Sequence, residues 1–395
     1  MKRREQAAVV LASLMGIGVL AVVTFVLATP HRRKPQEAAL GESLAIPHWR
    51  KLQEAALGEG RRGHSMILLP DKTVLIVGGG NLIQEDERPF RGVMVRACEI
   101  YDPTSTTCSM TGSRIYPDEP AAYIALHDGR VLAIGEGPTR PHCEIYDPRL
   151  GTWKDTASVL LPRYGFETAL LANGEVMIAG GKIDRELSSA CELFNPTLGT
   201  WRKAAPMLSP RLLHRIVSLR DGRALVMGSG RDPHDCEVFD LKVNCWTRSA
   251  PLLDDHGSTF IAVELQDGRV LVAGGAVYHR GGCVLESVPA MTSEIFDPAT
   301  NRWSAAGRLP IAIDLRLIST HLLDNGNLVV IGVNFGKKCL LYDSKWNVWR
   351  LIPTLHTPRY DHASVKLSDG RILVSGGYKG GTGVESLLQD FEVLK

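Results

Sequence analysis

A glycine-led segment recurs seven times along this 395-residue chain, and the recurrence constrains the fold more than any other feature. Asp-Gly or Asn-Gly between two apolar runs is a strong β-hairpin signal, and a type I′ turn needs positive φ at both central residues. A period of about 40–50 residues predicts one supersecondary unit per copy. The first copy departs from the pattern, because Asp71-Lys72 stands in place of the dipeptide. The turn glycines of the other six copies are Gly129, Gly174, Gly222, Gly268, Gly326 and Gly370.

Each copy carries the residues of four short strands. A second glycine, such as Gly135, follows the turn glycine, and branched residues that favour β-strands fill the interval. A second tight turn follows, such as Asp147-Pro148, in which the proline fixes φ. Four strands, two turns and one buried aromatic residue per copy predict a propeller blade. The aromatic residues after the second turn are Trp153, Trp201, Trp246, Trp303 and Trp349, with Cys108 at this position in the first copy.

These features together resemble the kelch repeat. A strand ending in Gly-Gly, an aromatic-Asp-Pro turn and a following Trp make up its signature, and Arg-x-x-His at 211–214 and 359–362 strengthens the match. The resemblance covers roughly residues 45–395 and implies an all-β, kelch-type β-propeller around a central channel. Some similar propellers are galactose oxidase-like enzymes, whose copper site uses tyrosines, histidines and a Tyr–Cys cross-link. No Tyr/Cys/His set of this sequence matches that pattern, so we expect no cofactor.

The two ends of the repeat region predict the number of blades. The last copy supplies three strands, the third near residues 390–393, and lacks the strand with the aromatic residue. The segment around Trp49 resembles the one around Trp201, so an N-terminal strand is expected to complete the last blade. Such closure removes exposed sheet edges at the seam of the ring. We therefore predict seven blades, the last closed by the N-terminal strand.

The N-terminal region is predicted to lie outside the propeller. Residues 7–29 contain no charged residue, and a stretch of this length can span a bilayer core. The length favours a transmembrane signal-anchor over a cleaved signal peptide, although small residues at 26–28 suit signal peptidase. We expect residues 1–29 to be this anchor or signal, 30–44 a linker and 45–395 the propeller. The propeller is then extracytoplasmic on a single-pass membrane protein, or secreted after cleavage.

The cysteines and histidines indicate packing positions more than metal ligands. Five cysteines occupy the same position of the third strand, which four copies follow with Glu, and equivalent positions of different blades are too far apart for bridges. The pair Cys98 and Cys108, as diagonal neighbours across one hairpin, is the one candidate for a disulfide. Phe166 stands where other copies have histidine, which argues against ligation. No C-x-x-C pair occurs, so we expect no metal site. The cysteines are Cys98, Cys143, Cys191, Cys236 and Cys339, and the histidines are His64, His214 and His362.

The connections of variable length predict where partners bind. In a four-stranded meander, the tight turns share one face of the ring, and the variable connections share the other, which is the face we expect to bind. Two long connections, near residues 81–97 and 276–292, mix charged and aromatic residues. The predicted binding residues are Arg88, Phe90, Arg91, Tyr278, His279 and Arg280.

Three functional hypotheses fit these observations. The favoured one is a non-catalytic scaffold that contacts a protein or glycan partner and is a monomeric propeller. The net charge of +2 with interspersed signs gives no basic stripe for nucleic acid. The alternative is a carbohydrate-active or galactose oxidase-like enzyme, for which a His, Arg and acid cluster at the channel mouth would be the sign. A structural role in an envelope complex is the third.

Overall fold

A computed structural model describes residues 48–83, 91–117, 120–137, 141–230, 232–281, 284–313, 318–379 and 387–395. The described residues up to Val277 and from Pro289 onward form one compact unit. Residues 278–288 group outside this unit and are described by themselves, as part of a hairpin.

The main unit consists of seven antiparallel sheets, each built on four strands. Six sheets take these strands in chain order, and the seventh combines the last three strands of the chain with the first. First strands contact one another across most of the blade boundaries, so these strands line the centre of the ring. The all-β, seven-bladed propeller predicted from the repeats is confirmed.

The blades, each given from first to fourth strand, are as follows. Blades 1 to 4 are β2 (Arg62–Leu68), β3 (Val74–Ile83), β5 (Cys98–Asp102) and β6 (Thr107–Thr111); β7 (Ala122–Ala125), β8 (Val131–Ile134), β9 (Cys143–Asp147) and β10 (Thr152–Thr156); β11 (Glu167–Leu170), β12 (Val176–Ala179), β15 (Cys191–Asn195) and β16 (Thr200–Ala204); and β17 (Arg215–Ser218), β18 (Arg223–Met227), β19 (Cys236–Asp240) and β20 (Cys245–Arg248). Blades 5 to 7 are β21 (Ile261–Glu264), β22 (Val270–Ala273), β25 (Ser293–Asp297) and β26 (Arg302–Ala305); β27 (Ser319–Leu322), β28 (Leu328–Gly332), β29 (Lys338–Asp343) and β30 (Val348–Ile352); and β31 (Ala363–Lys366), β32 (Ile372–Ser375), β33 (Asp390–Leu394) and β1 (Trp49–Ala56).

Short additional elements lie in the connections between second and third strands. They are β4 (Arg91–Met94), which pairs with β3; the hairpins β13 (Lys182–Ile183) with β14 (Glu186–Leu187) and β23 (Ala276–Gly281) with β24 (Val284–Pro289); and α1 (Val333–Lys337).

The order of the strands gives the ring two different faces. Turns from first to second and from third to fourth strands lie on one face, here called the turn face. Connections from second to third strands and from one blade to the next lie on the other, here called the loop face. The antiparallel pairing within every blade requires this division.

The N-terminal strand closes the ring as predicted. In β1, Trp49 pairs with Leu394 of β33, the place that Trp201 takes opposite Phe194 in blade 3. Its indole Nε1 donates to the carbonyl oxygen of Pro353 at 3.0 Å, just as Trp201 donates to Ala157 of the preceding blade at 2.8 Å. Trp49 therefore seals blade 7 against blade 6 in the same way as the internal tryptophans seal their blades.

The Asp-Gly turns differ in type from the prediction. Of the central residues of the blade 2 turn, only Gly129 has positive φ, and its N–H donates to the carbonyl oxygen of Leu126 at 3.0 Å. This is a type I turn followed by a left-handed glycine, the usual three-residue hairpin loop, so the type I′ prediction was wrong. Lys72 takes the left-handed position in blade 1, with φ of 72°.

The cysteines are free thiols, within the part of the chain that the structure describes. The pair Cys98 and Cys108 does not lie side by side, because Cys98 pairs with Thr111 and Cys108 with Tyr101. The hairpin register thus excludes them as direct neighbours. Burial raises the pKa of the Cys98 thiol to about 11 and that of Cys339 to about 12, which suits packed thiols.

The predicted anchor or signal at residues 7–29 lies outside the described residues. Within the described ranges, no helix has the length and apolarity needed to cross a bilayer.

Candidate binding face

Buried ion pairs fasten the blade-to-blade connections under the loop face. In blade 3, Arg163 from the connection donates to Glu192 in the third strand, and both side chains are fully buried. The Glu192 carboxylate also accepts the backbone N–H groups of Leu160 and Leu161, at 2.6 and 3.0 Å. The connection is thus held by both its side chain and its backbone. Equivalent pairs are Arg61–Glu99, Arg114–Glu144, Arg211–Glu237 and Arg359–Glu392.

Two blades vary this clamp. In blade 5, His256 replaces the arginine and its Nε2 lies 2.9 Å from Glu294. In blade 6, alignment of the repeats puts Ile313 in place of the arginine and Leu340 in place of the glutamate, and both are buried. Pro310 also stands where blade 3 has Leu160, so one backbone donor is missing as well. In blade 6, the arginine, the glutamate and one backbone donor are therefore all replaced together, and apolar packing takes the place of the ion pair.

Histidines at the inner strands link neighbouring blades. His64 lies 2.9 Å from the Ser375 hydroxyl, joining blades 1 and 7, and His362 lies 3.0 Å from the Ser319 hydroxyl, joining blades 7 and 6. Burial lowers the pKa of His64 to about 3 and that of His362 to about 4, so both are neutral. His214 is buried without a hydrogen-bond partner among the described residues. These environments agree with the predicted packing role.

A cluster of aromatic and charged side chains lies on the loop face where blades 7 and 1 meet. We call Arg62, Tyr360, Asp361 and Tyr378 the seam cluster. The rings of Tyr360 and Tyr378 stack with centroids 5.2 Å apart, and the Arg62 guanidinium lies 5.3 Å from the Tyr378 ring centroid. Arg62 Nη1 lies 3.9 Å from Asp361 Oδ2, and about a third of each side chain is exposed.

The electrostatics of the seam cluster come from this partial burial. Burial raises the pKa of the Asp361 carboxyl, while the Arg62 charge acts in the opposite direction. Burial also raises the pKa of Tyr378, and the Asp361 charge adds to the rise. The cluster therefore combines a guanidinium, a carboxyl group and two hydroxyl-bearing rings.

A second polar pair lies on the inner strands at their loop-face ends. Arg215 of blade 4 donates to Glu167 of blade 3, and its Nε donates to the carbonyl oxygen of Phe260 at 3.0 Å. Burial raises the pKa of the Glu167 carboxyl, and the Arg215 charge opposes the rise. An acid and an arginine thus meet at the channel, which is part of the cluster that the enzyme hypothesis requires, and among the described residues no histidine bonds to either.

The structure places the predicted binding residues only in part. Arg88 and Phe90 lie outside the described residues, and for Arg91, in β4, only the backbone is described. In the described part of the long blade 1 connection, β3 continues and pairs with β4.

The blade 5 connection is likewise a hairpin. Tyr278, His279 and Arg280 lie in β23, with their side chains outside the described part of the structure. Sequence reasoning missed the seam cluster, whose members Tyr360 and Asp361 stand inside an Arg-x-x-His motif. The left-handed backbone of Asp361, with φ of 51°, occurs where blade 1 has Gly63, and this alignment is the signal that the sequence offers.

Comparisons with known proteins support the fold. No protein-family model matches the chain. A curated relative, Kelch-like protein terF of Aspergillus terreus (strain NIH 2624 / FGSC A1156), is 23% identical over 157 residues. The match covers 36% of this chain and 32% of that protein, so the chain spans about a third of the length of this relative.

A solved structure covers much more of the molecule. It is described as a novel fungal alcohol oxidase with catalytic diversity among the AA5 family, in complex with copper. It aligns with 89% of this chain and 76% of its own, with a TM-score of 0.66 and 14% identity. The fold is a kelch-type propeller.

Copper in that neighbour prompts a test of the side chains present here. Among the described residues of this kelch-type propeller, no group of three or more His, Cys, Asp or Glu side chains is arranged to hold a metal ion. His64 and His362 use their Nε2 atoms on serine hydroxyls of neighbouring blades. Each of these two histidines therefore already uses one ring nitrogen within the fold.

Proposed function

We propose that this protein is a non-catalytic binding scaffold that contacts protein or glycan partners through its loop face. The seam cluster carries the proposal. Stacked tyrosines beside an arginine provide a flat aromatic surface and a planar donor, which are side chains that dominate the energy of many interfaces. Asp361 adds an acceptor within reach of the same partner.

The buried ion pair beneath the seam cluster supports this function. Arg359 belongs to the buried clamp of blade 7 and directly precedes Tyr360 in the chain. Its guanidinium donates to Glu392 at 2.9 Å and to the carbonyl oxygen of Gly376 at 3.1 Å. These bonds fix the backbone on either side of the cluster before a partner arrives, which reduces the entropy lost on binding.

The experiment compares two exposed aromatic surfaces of one propeller. The double variant Tyr360→Ala/Tyr378→Ala removes the stacked pair from the loop face. The matched control Trp346→Ala removes an aromatic residue, 55% exposed, from a third-to-fourth turn on the opposite face. Affinity capture from native membranes should recover a partner with the parent and the control and lose it with the double variant. Equal recovery by all three proteins would refute the role of the loop face.

The alternative is a carbohydrate-active or galactose oxidase-like enzyme, favoured by the Glu167–Arg215 pair. Burial raises the pKa of the Glu167 carboxyl, which favours a role as a proton donor. The fold shared with an alcohol oxidase is compatible with this alternative. A screen of sugars and alcohols, with Glu167→Gln as the matched variant, tests it: turnover by the parent that the variant loses establishes the enzyme, and no turnover removes it.

We also propose the division of the chain into residues 1–29 as anchor or signal, 30–44 as linker and 45–395 as a monomeric propeller on the extracytoplasmic side. The uncharged stretch at 7–29 supports this proposal. Alkaline carbonate extraction and the mass of the mature N-terminus distinguish the forms. Retention in the membrane with an intact N-terminus indicates an anchor, release with a shortened one indicates a signal peptide, and an intact, freely soluble chain contradicts both.

A further inference from the structure

The Asp-Gly turns of the turn face hold arginine side chains in a repeated arrangement. In blade 2, Arg130 directs its Nε and Nη2 atoms to Asp128 Oδ2, at 2.9 and 2.6 Å. The same aspartate uses Oδ1 to accept the backbone N–H of residue 130. Three further Asp-Gly-Arg triplets repeat this pairing: Asp221–Arg223, Asp267–Arg269 and Asp369–Arg371.

Two of these arginines also reach the next blade. Arg130 Nη2 donates to the carbonyl oxygen of Pro196 at 2.8 Å, and Arg223 Nη2 donates to that of Pro298 at 3.1 Å. Each proline belongs to the third-to-fourth turn of the following blade. A guanidinium is thus held between an aspartate of one blade and a proline carbonyl of the next.

Blade 1 keeps the acceptors of this arrangement but has no arginine. Thr73 stands at the arginine position, and its backbone N–H donates to Asp71 Oδ1 at 3.0 Å, as in the other blades. Asp71 Oδ2 and the carbonyl oxygen of Pro148, the counterpart of Pro196, accept no hydrogen bond from any residue in the described ranges. Both positions that bind a guanidinium elsewhere are therefore open here.

A cleft of about 530 Å³ lies at this place, and its lining residues are Pro70, Asp71, Asp128, Arg130, Asp147, Pro148 and Arg149. Three carboxylates and two guanidinium groups line it, a formal balance of −1. Arg130 is already paired with Asp128, so the remaining acceptors favour a cation. The cleft is also larger than a guanidinium, which leaves room for the chain that carries one.

We propose that the turn face binds an arginine side chain of a partner peptide in this cleft, which we call the guanidinium slot. The incoming guanidinium takes the place that Arg130 and Arg223 occupy in their blades, donating to Asp71 Oδ2 and to the Pro148 carbonyl. A planar guanidinium fits this pair of acceptors better than the compact ammonium of lysine. The slot is distinct from the seam cluster, which lies on the opposite face.

Saturation-transfer NMR tests the slot with the full chain in detergent. The probe is the capped tripeptide Gly-Arg-Gly, and the control peptide carries citrulline, which has the same shape without the charge. We expect the citrulline peptide to bind at least about tenfold more weakly, since charge-assisted bonds are lost. No saturable binding of the arginine peptide up to about 10 mM, or equal binding of both peptides, overturns the proposal.

Variants then locate the binding. Lys72→Gly/Thr73→Arg restores the triplet and fills the slot with the protein's own arginine, so peptide binding should fall about tenfold or more. Asp71→Asn removes only the charge of one acceptor, so it should also weaken peptide binding, but by less. Asp267→Asn, in another turn, should leave peptide binding unchanged. Arg223→Thr should open a second slot and raise the number of bound peptides from one to two. Unaltered binding by both the filled variant and Asp71→Asn contradicts the assignment.

Discussion

Replacing Glu192 alone by leucine leaves the Arg163 guanidinium buried beside no carboxylate. It also removes the acceptor of the Leu160 and Leu161 N–H groups, which lie 2.6 and 3.0 Å from the carboxylate. Breaking a buried pair by removing one partner costs about 3–5 kcal/mol, because an uncompensated charge stays in the interior. We therefore expect Glu192→Leu to lower the free energy of unfolding by about 3–5 kcal/mol.

Blade 6 indicates how this loss is recovered. There Ile313 and Leu340 stand at the equivalent positions, both buried in one hydrophobic cluster. Replacing a buried pair by apolar residues of similar volume is often neutral or stabilising. The double variant Arg163→Ile/Glu192→Leu should thus lose less stability than Glu192→Leu. Adding Leu160→Pro, as in blade 6, removes the backbone N–H of residue 160 that the lost carboxylate would leave unpaired, so it should recover further stability.

Equilibrium unfolding in guanidinium chloride, followed by tryptophan fluorescence and circular dichroism, measures this cycle. A coupling energy of at least about 2 kcal/mol between positions 163 and 192 is the expected result. If the two single losses simply add in the double variant, the clamp is not a coupled unit and the reading of blade 6 is incorrect.

Three further predictions concern single side chains and use the same unfolding measurement. Trp49→Ala should cost about 3–5 kcal/mol, close to the cost of Trp201→Ala, because both indoles seal a blade; a cost near zero for Trp49 alone would contradict closure by β1. Burial lowers the pKa of His214 from 6.5 to about 3, so below 6.5 the unfolded chain binds a proton that the native chain does not. Stability falls as pH falls through this window, and His214→Phe should reduce the loss between about pH 7 and about pH 5 by about 2 kcal/mol; an unchanged pH dependence refutes it. Leu213 is 46% exposed with φ of 57°, where blade 1 has Gly63, so Leu213→Gly should stabilise by about 1 kcal/mol, and destabilisation would show that its side chain packs usefully.

The sequence was sufficient to predict the blades because their signals are local. A turn such as Asp128-Gly129 and a tryptophan such as Trp153 mark strand ends within one repeat. The closing role of Trp49 could also be predicted, since its surroundings match an internal strand. The turn type was missed, because the same dipeptide suits both two-residue and three-residue hairpin loops.

The clamps and the seam cluster depend on which side chains meet, and spacing alone does not give that. Arg163 and Glu192 stand 29 residues apart, so no local pattern pairs them. Their joint replacement in blade 6 was the signal that would have paired them. Tyr378 joins Arg62 only because the ring closes between blades 7 and 1, a contact between residues 316 positions apart that no local pattern reports.

Site-specific photocross-linking in native membranes tests the central claim, binding through the loop face, most directly. A benzophenone amino acid replaces Tyr378 in one protein and Trp346, on the turn face, in another. We expect a discrete mass-shifted adduct with a protein or glycan from position 378 and none of that mass from position 346. The same adduct from both positions, or an adduct from 346 alone, would contradict the assignment of the loop face as the binding surface.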